Sequence, residues 1–416
     1  MKNKLINITI FLIIIDIFFY VPLIQLEFAV FNKVIITNLM IKIIILLFIV
    51  VIGIGNKKII IKEKLEKKIY LILLELFLIL PILSFCNNSN FIIDFFNILG
   101  QNYFYFIFAY FFIVNRDKID FDKIIKIVFF IGVLNAIICF FQYKNDSILY
   151  PYLYYSDGTT IFNSIIFYSG THTSRSVGMC TSGYECGIVL SFSIVYCMFQ
   201  IFNKEKKIKA PWVLAIVVLG FAIYTTKTRN IYLLILYILL FLLIYRIIFL
   251  KKIRNIIAKK MPIFLVIIFI LIFMLHSSAI ASYKGKELFS LYTLMVRFDE
   301  WRGALKDFSN YPINTFFGFA KSQVNGIITD NVYIDTTYTL GIVGLFIIVN
   351  YYITLSTGLY RYIEKNKYIL FQYAFTSSIF IIGSVNLISL PFGLLAVAIP
   401  SALYLKEVDK TKESVL

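Results

Sequence analysis

The sequence predicts an all-α polytopic membrane protein, with about 12 transmembrane helices and a small extracytoplasmic cap of loops and short helices. Three observations carry this expectation. The 416 residues are 60% hydrophobic and 15% charged, with a mean hydropathy of +0.86. A chain so apolar has too little polar surface to cover it in water. The apolar residues come in runs of about 20, the length that crosses ~30 Å of hydrocarbon as a helix, and the short alternating segments of a β-barrel are missing. Finally, Lys and Arg gather in the short connectors between runs. That places the net charge of +17 in the positive-inside pattern rather than on a nucleic-acid surface.

Spans are expected near residues 5–23, 34–54, 69–86, 91–114, 124–143, 184–202, 211–226, 231–249, 262–280, 332–356, 368–386 and 391–405. The first run follows Met1 to Lys4, carries Asp16 and lacks a small-residue cleavage site after it, so it reads as an uncleaved first span. With the N-terminus inside, 28 of the 40 Lys and Arg fall at cytoplasmic segments and 11 at outer ones, with Lys42 inside the second span. This split predicts that both termini are cytoplasmic. The chain then divides into helices 1–5 (1–143), an outer loop (144–183), helices 6–9 (184–280), a large outer loop (281–331), and helices 10–12 with the tail (332–416).

The two outer loops are rich in Tyr, Phe, Gly, Ser, Thr and Asn. Long loops in compact folds are functional or disordered, and these hold too many aromatics for simple disorder. The run ELFSLYTLMVRFDEWRGALKDF (287–308) has the spacing of an amphipathic helix lying along a membrane surface. Function is therefore expected on the outer face. No repeat links the two halves, which weighs against a transporter of two six-helix halves.

Hydrolase and metal signatures are missing: there is no H-E-x-x-H, C-x-x-C or P-loop, and His172 and His276 are far apart in sequence. No metal site and no cofactor are expected. Cys86, Cys139 and Cys197 fall in or at the ends of spans as core residues, whereas Cys180 and Cys186 lie near the outer face, where a disulfide is permitted. Arginines are more informative. Arg175, Arg229, Arg297 and Arg302 stand on the side that normally avoids positive charge. A guanidinium matches phosphate oxygens with two parallel hydrogen bonds, so a lipid-linked diphosphate fits them. Each could instead anchor to headgroups or pair with a carboxylate, as Arg302 could with Asp299 or Glu300. Arg229, in the short turn TTKTRN between two apolar spans, requires an anionic partner from the protein or from a ligand.

Four stretches resemble the O-antigen polymerase/O-antigen ligase superfamily, which includes repeat-unit polymerases of capsule and exopolysaccharide synthesis. They are RSVGMCTSGYECGIVLSF, with Arg175, Gly178 and Gly187; TTKTRNIYLLILY; YTLMVRFDEWRGALKDFSNYPINTFFGFA; and DNVYIDTTYTLGIVGLFIIV. Their order, spacing and topology agree over about 175–350. The resemblance implies a metal-independent glycosyltransferase in a bacterial plasma membrane. Its donor and acceptor would be lipid-linked oligosaccharides on polyprenyl diphosphate, with a flippase and a chain-length regulator as possible associates. Arg175, Arg229 and Arg297 would then hold the diphosphate, with Arg302 in reserve, and Asn331 and Tyr333 would bind substrate. Many members place His where this chain has Asp330, so the base that accepts the sugar hydroxyl's proton is either Asp330 or Glu185. Asp330 could alternatively cap the tenth span. Tyr333, Tyr338 and Trp301 could stack on sugars or belong to the interfacial aromatic belt. Pro312 and Gly318 shape the loop under either reading.

Overall fold

In the computed structural model, the described residues are 2–31, 37–54, 63–87, 91–143, 176–202, 209–247, 292–320, 331–364, 367–384 and 386–413, with single positions 256, 260 and 267. They form helices and connecting turns without a strand. Six helices are long and apolar enough to cross a membrane: Lys2–Ile24, Lys64–Cys86, Phe121–Tyr143, Gly183–Phe202, Val332–Tyr362 and Leu390–Glu413. Shorter apolar helices cover Asn38–Gly53, Phe104–Val114, Ala210–Thr226, Arg229–Tyr245 and Tyr368–Ile382. Helix thus appears at every expected span except 262–280, which apart from position 267 lies outside the described residues. The first span is longer than its apolar run suggested, because helix begins at Lys2 and continues to Phe31.

The chain divides into two compact units, Met1–Ile60 with Val114–Tyr232, and Ile61–Ile113 with Leu233–Leu416. In the first unit, α1 (Lys2–Ile14) and α2 (Tyr20–Phe31) are joined by a π turn, π1 (Ile15–Phe19), and α1 packs on α3 (Asn38–Ile54). The sequence continues through α4 (Lys64–Leu74), α5 (Leu80–Asn87), α6 (Phe91–Ile98) and α7 (Phe104–Val114), which belong to the second unit. The first unit resumes with α8 (Phe121–Tyr143), α9 (Gly183–Phe202) and α10 (Ala210–Thr226), which pack on one another. Their ends meet where Phe129, Tyr196 and Trp212 pack with ring centroids 5.1–5.9 Å apart. Gly187 lets α9 approach the start of the helix that follows α10, since a Cβ there would lie 2.4 Å from Ile231 Cγ1.

The second unit holds most of α11 (Arg229–Ile247), then α12 (Tyr292–Asn310), α13 (Pro312–Phe317), α14 (Val332–Tyr362), α15 (Lys367–Ser377), α16 (Ile379–Ile382), α17 (Leu390–Gly393) and α18 (Ile399–Glu413). The 31-residue α14 is its axis and packs on α4, α13, α15 and α18. Hydrocarbon offers no hydrogen bonds, so buried polar groups must be satisfied within the protein. Tyr105 and Tyr352 share a 2.6 Å bond, Tyr351 reaches Ser401 at 2.7 Å, and Tyr237 reaches Ser377 at 2.8 Å. Lys68 donates to the carbonyl and side-chain oxygens of Asn350, at 3.1 and 2.6 Å, and to Thr354 Oγ1.

Four π turns interrupt the described helices: π1, π2 (Glu75–Ile79), π3 (Leu99–Tyr103) and π4 (Leu394–Ala398). Three of them carry the polar residues Asp16, Glu75 and Asn102. A π turn re-aims side chains and is common at functional positions.

Candidate functional site

Two of the four resembling stretches meet in the first unit. The segment 176–182 leads into α9, and the TTKTRN turn links α10 to α11. Ser176 donates its backbone N–H to Thr225 O at 3.1 Å and its hydroxyl to Cys139 O at 3.0 Å. Two amide side chains of α8 then capture the backbone of the segment. Gln142 Oε1 accepts the N–H groups of Val177 and Gly178, both at 2.9 Å, and its Nε2 donates to Gly178 O at 3.1 Å. Asn135 Oδ1 accepts Met179 N–H at 2.8 Å. Gly178 permits this turn with φ +60°, where a Cβ would lie 2.2 Å from Asn135 Oδ1. A thiol cluster lies beside it, with Cys139 and Cys186 Sγ 3.5 Å apart; all five cysteines are free.

The N-terminus of α9 lies against the TTKTRN turn: a Cβ on Gly183 would be 3.1 Å from both Thr226 O and Thr228 Oγ1. The turn is closed by Lys227 in the left-handed region, φ 49°, an unusual conformation for a non-glycine residue. Arg229, half-buried, opens α11 directly afterwards. The starts of two helices, each with a partial positive charge, therefore converge at the turn that carries Arg229. Glu185, also half-buried, sits in the first turn of α9. Its Oε2 accepts the backbone N–H and the hydroxyl of Thr181, and among the described residues no hydrogen bond reaches Oε1.

The other two stretches meet in the second unit. Gly341 takes φ +70° and ψ −175° within α14, freeing carbonyls ahead of it. Tyr338 O accepts Phe319 N–H at 2.7 Å, and Thr339 O accepts Ala320 N–H at 3.1 Å. Gly318 and Gly341 make this approach possible, since a Cβ on either would come within 2.3 Å of backbone oxygen on the other segment. Phe308, Phe319 and Tyr338 close around the contact, with ring centroids 4.7–5.9 Å apart.

At the start of α14, Asn331 Oδ1 accepts Tyr333 and Ile334 N–H at 2.9 and 3.1 Å, while its Nδ2 donates to Ser384 O at 2.9 Å. The helix cap is thus Asn331, correcting the alternative that gave this role to Asp330: the helix begins one residue later than that reading required. Tyr333 donates its hydroxyl to Phe380 O at 3.1 Å.

The remaining expected residues are distributed as follows. Arg175 and Asp330 lie outside the described residues. Arg297 is half-buried on α12. Arg302 is exposed and 3.9 Å from Asp299, a surface pair of little energetic weight. Trp301 is buried against Phe298, with ring centroids 5.3 Å apart. Sequence reasoning missed Asp335, a buried carboxylate in the first turn of α14 whose Oδ2 accepts Asn102 Nδ2–H at 3.0 Å. The signal was available as an acid inside an apolar span, which demands a partner. Gln142 and Asn135 were missed in the same way.

No known protein family, curated protein or solved structure matches this chain.

Proposed function

We propose that this chain is an oligosaccharide repeat-unit polymerase of the O-antigen polymerase/ligase type, with about 12 spans, cytoplasmic termini and its site on the outer face of a bacterial plasma membrane. The bond from the donor glycan's anomeric carbon to polyprenyl diphosphate breaks, and a bond to a hydroxyl of a second lipid-linked unit forms. The hydroxyl's proton passes to a carboxylate, and the diphosphate leaves on its lipid. One observation carries this reading: the four resembling stretches fall into two pairs, each packed together within one unit. Beside the first pair, Arg229 and two helix starts suit a diphosphate, because oriented N–H groups and a guanidinium stabilise phosphate charge without reorganising. Glu185 fits the base, with one carboxylate oxygen anchored by Thr181 and the other bonded by no described residue. Arg175, Arg297 and Asn331 are kept as further substrate contacts.

Deleting the gene tests the reading. Surface polysaccharide should lose its ladder and keep single repeat units, and Arg229→Ala at normal protein level should slow elongation about 10²–10³-fold, as loss of one charge-stabilising donor does. Normal chain lengths in both strains would refute it. A ligase of the same superfamily would instead leave polymer unattached to its final acceptor. A flippase of lipid-linked oligosaccharide is the second reading, favoured by Asp16, Lys42 and Glu75 being buried inside apolar helices. It predicts repeat units trapped on the cytoplasmic leaflet of the deletion strain.

A further inference from the structure

Gly341 breaks α14, one of the helices long and apolar enough to cross a membrane. In an unbroken helix the carbonyls of Tyr338 and Thr339 would accept the N–H groups of Ile342 and Val343. At φ +70° and ψ −175° the chain turns aside, so both carbonyls need other donors. Hydrocarbon supplies none, and a non-helical stretch at membrane depth is tolerated only where protein covers it. Here the cover is the chain leaving α13. Phe319 N–H donates to Tyr338 O at 2.7 Å and Ala320 N–H to Thr339 O at 3.1 Å. α13 itself lies against the break, since a Cβ on Gly341 would be 2.1 Å from Phe316 O and 2.4 Å from Phe317 N. The short helix and the break therefore share one depth.

The backbone of this segment is closed, as a place without water demands. α13 starts with Pro312, which has no N–H to leave unpaired. Tyr311 N–H donates to Phe308 O at 3.2 Å, Asn314 N–H to Tyr311 O at 3.0 Å, and Gly318 N–H to Asn314 O at 2.7 Å. Asn314 Nδ2 donates to Gly318 O at 3.0 Å. The apolar side chains, by contrast, are left uncovered. Ile313 is 76% exposed and Phe316 57%, and Tyr311 and Phe317 are exposed beside them. The same change happens in α14 at the same place. Asp335 to Leu340 are buried, whereas Ile342, Val343 and Phe346 are exposed directly after Gly341. On a spanning helix those three meet acyl chains, and the apolar residues of α13 extend that surface at its edge. A contiguous exposed apolar patch marks an interaction site, and its continuity with α14 identifies the occupant as lipid.

We propose that residues 311–320 are immersed in the bilayer: α13 sits in the hydrocarbon of one leaflet with Ile313, Phe316 and Phe317 against acyl chains, and the chain leaving it closes the break in α14. The loop between α12 and α14 is thereby fastened to lipid as well as to protein. The inference needs α14 to cross the membrane and does not depend on the polymerase reading.

The test uses full-length protein in nanodiscs and requires no substrate. Phe316→Trp and Ile313→Trp each add one indole at an exposed site, and wild-type emission from Trp212 and Trp301 is subtracted. In phosphatidylcholine brominated on its acyl chains, the added emission should fall by at least half relative to unbrominated lipid. Aqueous iodide should leave it nearly unchanged. Phe346→Trp, on the outward face of α14, should behave in the same way. Strong iodide quenching at 313 and 316 would place α13 in water and overturn the proposal. Quenching by neither agent would show that protein covers the patch, which overturns it equally. Loss of bromine quenching at 346 would remove the lipid-facing surface on which the inference stands.

Discussion

Gln142→Leu isolates the energetics of the segment that leads into α9. Gln142 is 1% exposed and makes three hydrogen bonds to two consecutive residues, at 2.9, 2.9 and 3.1 Å. Leucine keeps most of the volume and can make none of them. Two backbone N–H groups and one carbonyl would be left buried and unpaired, at about 1 kcal/mol or more each, so the segment should loosen by about 3 kcal/mol. That is roughly a hundredfold increase in the population of the opened segment. Two buried thiols report it, Cys180 at 3% exposure and Cys186 at 0%, while the exposed Cys86 serves as internal reference. N-ethylmaleimide labelling of the purified variant, resolved by peptide mass spectrometry, should speed about a hundredfold at Cys180 and Cys186 and stay constant at Cys86. Rates within threefold of wild type at all three thiols would show that Gln142 does not hold the segment.

Three further outcomes are expected. Gly341→Ala should destabilise by about 3 kcal/mol or more, because φ +70° with ψ −175° is a glycine conformation and the new Cβ would sit 2.1 Å from Phe316 O; a wild-type Tm in detergent would contradict this. Lys227→Gly should stabilise by about 1 kcal/mol by removing the left-handed penalty at φ 49°, seen as a raised Tm, whereas a lowered Tm would mean that the lysine side chain contributes more than its backbone costs. Mild oxidation with diamide should join Cys139 to Cys186, whose sulfurs already stand 3.5 Å apart; a Cys139 thiol left free after oxidation would contradict this packing.

The helices were legible because crossing hydrocarbon imposes length and composition on each apolar run, and nothing else in the chain has that pattern. A helix within 287–308 was legible from its spacing, and helix is present over Tyr292–Asn310. The π turns were not, because inserting one residue into a helical turn leaves the apolar pattern intact. Asp16, Glu75 and Asn102 mark three of them only by being polar in the wrong place. Capping by Asp330 was only an alternative to its role as base, and Asn331 takes the cap instead; both residues are good caps and only geometry separates them. Asp335, Gln142 and Asn135 were hidden for a related reason: a lone polar residue in an apolar run shows that a partner is needed without showing where it is. Their partners, Asn102 and the backbone of 177–179, stand 35 to 233 positions away in sequence.

The separation of Asn102 from Asp335 bears on how the chain is made. The second unit begins with Ile61–Ile113, and its remaining members follow only from Leu233. At about 5–20 residues per second, a nascent chain waits roughly 10–50 s between synthesising the amide and the carboxylate that receives it. Throughout that interval α4 to α7 are inserted without α14, the helix against which their polar groups are satisfied. Biogenesis must shelter this early hairpin, so insertase depletion should strike the chain hardest during the pause between its two halves.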